Sequence, residues 1–369
     1  MATTSGRAPP LPVGKARRGR ATVAAGLEAA ARWEPAATAW AALAQEARAE
    51  GADDEARGHA RRAADAFRRD DRPAAAVLQL RVAMAGTSPV GVDAALFGGL
   101  LADAGQFDAA ASVLDEALAA ESDAATRALL LDGACGVALA RGNLAAARGH
   151  LGALEELRLP GADLAATFRA ATIRRLDGDL DAADAGWAAI VQRLAGVAVA
   201  AGAVAAAAQE RAELAVLRVL LADGGRVLTR ASEGLAGARA QAVAAREGWT
   251  RAGRRLGVMR AEAWLARIDA LAGVPVLWPR ADDAIAYART RGLPGALADL
   301  LVCAAVVRGD ADLACAAVRC LDEAPLARGR ARVLAWGLGA RGGVADLERA
   351  GEELAGDVPW FTLARRSGA

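Results

Sequence analysis

Apolar residues recur at intervals of three and four over Val92–Ala104, Ala124–Arg141 and Asp163–Asp177, the spacing that lines one face of a helix. Each run ends at a glycine, followed by a polar residue, an apolar residue, two variable residues and an alanine. The motif reads Gly105-Gln106-Phe107, Gly142-Asn143-Leu144, Gly178-Asp179-Leu180 and Gly309-Asp310-Ala311, with Ala110, Ala147, Ala183 and Ala314 closing it. A second periodic run follows each of the first three, predicting partner helices over Phe107–Ala120, Leu144–Leu157 and Leu180–Leu194. Weaker echoes begin at Asp71, Gly225 and Gly342, and at Trp33 and Gly273. Most spacings between these starts lie near the length of one helix–turn–helix unit, so the chain reads as a repeat array.

Each motif position has a physical task. The glycine can take the left-handed conformation that ends a helix. The polar residue can cap the next helix by accepting from its free backbone N–H groups. The apolar residue packs the turn, and the alanine lets the second helix press against the first.

Composition agrees with helices. Apolar residues make up 54% of the 369-residue chain but aromatics only 4%, and alanine, the strongest helix former, is abundant. The 45 basic and 44 acidic residues nearly cancel, which leaves no field of one sign to attract nucleic acid or an anionic membrane. Lys15 is the only lysine. That preference for arginine, with the alanine excess, matches the coding bias of a GC-rich bacterial genome. Cys135, Cys303, Cys315 and Cys320 form no CxxC pair, and His59 and His150 add no zinc spacing, so buried thiols in a reducing cytosol are expected. The basic N-terminus lacks the apolar stretch of a signal peptide. The most apolar window, Leu194–Ala208, is short for a membrane span and reads as a buried helix–helix junction. A cytoplasmic protein is expected.

These units resemble tetratricopeptide repeats. Around Gly105, the small first-helix residue is Gly98, flanked by Phe97 and Leu101, with Phe107, Ala110, Leu114 and Ala117 in the turn and second helix. Ala64, Phe67, Ala76, Leu80 and Ala83 stand at the equivalent places around Asp71, and Leu301, Ala305, Ala314, Val318 and Leu321 around Gly309. Pro359 matches the family's closing proline, and Pro89 and Pro160 lie one residue away from it. The resemblance departs at Gly225, where the alanine has slipped to Ala231, and at Gly342, where Leu347 replaces it. It implies an all-α solenoid of about eight antiparallel helix–turn–helix repeats in a right-handed superhelix. The expected organisation is a disordered basic tail over 1–21, a solenoid over 22–358 and a C-terminal tail over 359–369. Regular repeats are expected over 52–195 and 292–358. The longer helices expected over 196–291 resemble those of maltose-regulator-type activators, without that family's NTPase or helix-turn-helix.

Candidate chemistry is sparse. Val13-Gly14-Lys15 lacks the first glycine and the hydroxyl of a phosphate loop. Asp177, Asp179, Asp181 and Asp184 cluster at a repeat turn, as do Asp282 and Asp283 at another, where helix N-termini favour acidic residues. Eight tryptophans read as wedges between alanine-rich repeats, with exposed binding anchors as the alternative. The repeat register places Arg61, Asp65, Arg68, Asp132, Phe168, Thr172, Arg175, Arg332 and Trp336 on the inward face of the first helices. Arginines there could fork onto carboxylates while aromatics grip an apolar side chain. Intrahelical pairs such as Arg61–Asp65 are the plainer reading. The function this suggests is a non-catalytic scaffold for a protein or peptide partner, with no cofactor, metal, nucleic acid or membrane. An effector-sensing arm of a bacterial regulatory system is the alternative, and an enzyme with an unrecognised pocket the third.

Overall fold

The computed structural model describes residues 13–84, 89–222, 232–276 and 278–320. Among these residues every regular element is helical. They form two compact units, divided between Pro89 and Val90.

Unit 1 contains α1 (Val13–Ala29), α2 (Trp33–Ala49), α3 (Asp53–Arg69) and α4 (Pro73–Met84), each packed on the next. Helix α1 begins inside the stretch expected to be a tail, and residues 1–12 of that tail lie outside the described ones. Its own sequence is a poor helix former, with glycines at 14, 19 and 26. Partners hold it instead: Arg17 pairs with Glu50 at 2.5 Å and Glu55 at 2.6 Å, Arg20 pairs with Glu46, and Ala24 is buried with Trp40 and Leu43. The ring of Trp40 stacks on His59 with centroids 5.2 Å apart, and the Arg62 guanidinium lies 4.7 Å over the same ring. Burial lowers the His59 pKa, and Arg17 and Arg62 push the same way against Glu55. The folded state therefore favours the neutral imidazole. Its contribution to stability is complete above the unfolded pKa of about 6.5 and is lost as pH falls from there through the lower folded value. NMR titration should find His59 below that value, and a folded pKa at or above it would disprove the stacking environment.

Unit 2 continues with α5 (Gly91–Asp103), α6 (Phe107–Ala120), α7 (Ala124–Ala140), α8 (Leu144–Glu156), α9 (Ala162–Leu176) and α10 (Leu180–Arg193). A 3₁₀ turn (Ala198–Ala200) leads to α11 (Ala201–Ala222), α12 (Ser232–Arg251), α13 (Arg255–Leu271), α14 (Ala281–Thr290), α15 (Pro294–Arg308) and α16 (Ala311–Arg319). Odd-numbered helices pair with the even-numbered ones that follow, and first helices of successive repeats also meet, as in α5 with α7, α7 with α9 and α13 with α15. This is the stacking of an all-α solenoid. The first turn of the unit comes round to its last repeats: Phe107 packs onto the core shared by α11 to α15, and Gly105 approaches Pro294 so closely that an added Cβ would lie 3.2 Å from its ring.

The repeat motif does what its residues suggest. Gly105, Gly142, Gly178 and Gly309 all have φ between 67° and 85°, and Asp71 takes the same role with φ 58°. Asn143 caps α8 and Asp179 caps α10 through their side chains, and Asp310 accepts from the N–H groups of Asp312 and Leu313. Gln106 makes no such cap, because its longer side chain is a weak N-cap former. Ala110, Ala147 and Ala183 are fully buried, as are Ala64, Ala76 and Leu114. At Gly98 an added Cβ would lie 2.6 Å from Leu114, so only glycine lets α5 and α6 approach this closely.

The middle stretch contains longer helices, α11 with 22 residues and α12 with 20, but α14 has only 10. The apolar window Leu194–Ala208 is buried only in its second half. Gly196 turns at φ 79°, and Val197 and Val199 are exposed in the connection before α11. No helix among the described residues is long and apolar enough to cross a membrane. Trp40, Trp187 and Trp264 are buried between helices, whereas Trp33, Trp249 and Trp278 are half-buried. The weaker repeats at Gly225 and Gly342, with most of 292–358, the tail over 359–369 and the last two tryptophans, lie outside the described residues.

Candidate ligand groove

In unit 1 the inward candidates sit on α3. Asp65 accepts from Arg68 Nη2 at 2.7 Å and from Arg69 Nε at 2.8 Å, while Arg61 is exposed on the same helix. Burial raises the Asp65 pKa, but the two guanidinium groups outweigh it and hold the carboxyl below its usual range. These are helix-surface pairs one turn apart, the geometry anticipated for a solvated face.

Unit 2 is different, because its charges pair between repeats. Asp132 on α7 accepts from Arg169 Nε on α9 at 2.7 Å. Arg175, near the end of α9, reaches Glu210 on α11 at 2.5 Å and stands 3.7 Å from Glu213. Arg260 on α13 pairs with Asp299 on α15. Glu210 also raises the pKa of both Arg169 and Arg260 electrostatically, so it faces the pairs on either side of α11. Burial opposes the charge on those two arginines, but the neighbouring carboxylates outweigh it. The result is a row of alternating sign along the first helices: Asp132, Arg169, Glu210, Arg260, Asp299. The row is hemmed in by protein yet open, with the Arg169 side chain 26% exposed and that of Arg260 28% exposed. Gly136 makes room for it. A Cβ there would lie about 3 Å from the Arg169 guanidinium, so a larger residue would push that side chain off α7.

The sequence candidates fall unevenly on this row. Asp132 is its first member and Arg175 lies beside its centre. Phe168 packs edge-on to Trp187 at 6.4 Å, and Thr172 Oγ1 donates to the Phe168 carbonyl at 3.0 Å, so both serve α9 and its core contacts. Arg332 and Trp336 lie outside the described residues. Arg169, Glu210, Arg260 and Asp299 escaped the sequence reading. Two were within reach of it: Asp132 and Asp299 stand equally far before their turn glycines Gly142 and Gly309, and Arg169 stands one residue nearer to Gly178. The long helices around α11 break that count for the other two.

The acidic clusters at the turns have other partners. Asp177 pairs with Arg148, Asp181 with Arg218 and Asp184 with Arg211, linking adjacent helices, while Asp179 is a cap. Asp282 lies in the first turn of α14 and pairs with Arg308. No group of three or more possible metal ligands occurs among the described residues. Burial pushes the Cys135 thiol up to about 11 and the Cys303 thiol up to about 12, which leaves both protonated and unreactive.

No family model and no curated protein matches the sequence. Among solved structures, the chain is similar to a Rap protein complexed with competence and sporulation factor, with a TM-score of 0.58 and 13% identity over 94% of this chain and 98% of that one. The TPR domain of P58(IPK) aligns at a TM-score of 0.24 and 11% identity, over 92% of this chain and 98% of that one. A circular tandem repeat protein with novel repeat topology aligns at 0.18 and 14% identity, over 97% of this chain and 92% of that one. The last two scores are too low to bear on the fold; the first, with the repeat geometry, settles it. The chain has the tetratricopeptide-like helical repeat fold.

Proposed function

We propose that this chain is a non-catalytic scaffold that binds a protein or peptide partner along the first helices of unit 2. The observation that carries the reading is the row of alternating charges from Asp132 to Asp299, paired between repeats yet still reachable by solvent. Such a row offers a partner's backbone and side chains both donors and acceptors at the spacing of the repeats. The Rap protein of similar fold was solved in complex with competence and sporulation factor, which agrees with a ligand-binding role for this architecture.

A charge swap tests it. Asp132→Arg combined with Arg169→Asp keeps the internal pair but inverts the pattern that a partner meets. The swapped chain should keep wild-type helicity, although Glu210 then faces a carboxylate in place of Arg169, and should bind the partner recovered by wild type at least about tenfold more weakly, or 1.4 kcal/mol. Cross-links from the partner should map to α7 and α9. Undiminished binding by the swapped chain would overturn the reading that the partner meets this row of charges.

A further inference from the structure

One stripe of α13 is rich in donors without acceptors. Arg260, Trp264 and Arg267 follow at four and then three residues, so they share a face of the helix. Arg267 is 1% exposed, and its guanidinium lies 4.5 Å over the ring of Trp264. Its Nε and Nη1, the Nε of Arg260 and the indole Nε1 of Trp264 are all buried and have no hydrogen-bond partner among the described residues. Every one of these four groups is a donor.

The charges at this place do not balance. Arg260 is matched by Asp299, and Glu210 and Glu213 on α11 both face Arg175. Arg267 makes no ion pair of its own among the described residues; Asp299, already paired with Arg260, acts on it only through space, so one carboxylate serves two guanidinium groups. Its hydrogen bond goes to Cys303, whose thiol is protonated and brings no charge. A buried guanidinium that shares its nearest carboxylate with a second arginine is costly, and the ring beneath it offsets only part of that cost.

We propose that α13 and α15 enclose a binding site for one small monovalent anion, held by Arg267 and Trp264 with Arg260 at its mouth. One uncompensated positive charge matches a monoanion, a halide or a carboxylate, rather than a phosphate or sulfate dianion. The partly exposed Arg260–Asp299 pair lies at the open edge, with side chains 28% and 18% exposed, and gives the anion a way in. The site does not depend on the partner-binding reading of the row, although it adjoins it.

The test is thermal unfolding of the full chain at constant ionic strength, replacing sodium gluconate by sodium chloride in one series and by sodium acetate in another. Above its dissociation constant, each tenfold rise in a bound anion should raise the folded-to-unfolded ratio tenfold. Dependence on chloride identifies an inorganic anion, and dependence on acetate alone identifies the carboxylate of an organic ligand. In Arg267→Met, an apolar replacement of similar length, either dependence should vanish. If wild type responds to neither salt, or if Arg267→Met responds equally, the proposal is overturned. Bromide-soaked crystals of wild type decide the matter without the variant. An anomalous peak beside the Arg267 guanidinium supports the site, and a hydrogen-bond acceptor from the chain in its place overturns it.

Discussion

Trp187→Ala should destabilise unit 2 by about 3–5 kcal/mol, the range for removing a large aromatic from a packed core. The ring has no exposed surface and fills the space between α9, α10 and α11, where its neighbours are Ala171, Ala183, Ile190, Ala207 and Leu214. Several of these are alanines, which cannot extend into the cavity left behind. Gly186 beside it already sits so close to α9 that an added Cβ would lie 2.9 Å from that of Ala171, so the helices cannot close the gap by sliding together there. Because a solenoid is stabilised repeat by repeat, the loss should be local first, with amide exchange accelerating in α9 to α11 before the outer helices. Urea unfolding with hydrogen exchange measures both. A loss below about 1 kcal/mol would mean the ring is not the wedge described here.

Arg175→Glu is the second large effect, expected at about 3–5 kcal/mol because it strips a mostly buried pair of its cation and adds a third carboxylate. Arg175 is 12% exposed, holds Glu210 at 2.5 Å, stands near Glu213 and places its guanidinium 5.5 Å over Trp187. Arg175→Met keeps the aliphatic packing and should be milder. Adding Glu210→Gln and Glu213→Gln to Arg175→Met should recover stability, since the two carboxylates then no longer face each other without a cation. Denaturant midpoints of these variants form the cycle that isolates the interaction. Equal stability of Arg175→Glu and wild type would show that the cluster is solvated. Effects at Trp187 and Arg175 should not add, as the two side chains touch. The same burial makes Arg175 a poor probe of partner binding, which is why the charge swap uses Asp132 and Arg169.

The hairpins were legible because their rules are local. A first helix with apolar residues three and four apart, a glycine able to adopt positive φ, and an alanine at the close approach are all written within about 36 residues, and α5 to α10 begin and end within one or two residues of the expected boundaries. Where the signal was not local, the reading slipped. The start of α1 depends on Arg17 meeting Glu50 and Glu55 from other helices, and the burial of Leu194–Ala208 depended on what Gly196 does to the chain before α11. The inward face was partly legible: Asp132 and Arg175 could be placed by counting back from a turn, but their partners could not.

By itself, then, the sequence determined the helices, their pairing into hairpins and the repeat that stacks them, since each rests on backbone conformation and periodicity over neighbouring residues. Tertiary structure alone decided which charges meet. Asp132 with Arg169, Arg175 with Glu210 and Arg260 with Asp299 are contacts between repeats, set by how far one hairpin rotates on the next. Arg267 shows the same division: its place on α13 follows from the helical period, but its burial against Cys303 arises only when α15 packs on α13. A helix dictates which side chains share a face, and only the neighbouring helix dictates what that face confronts.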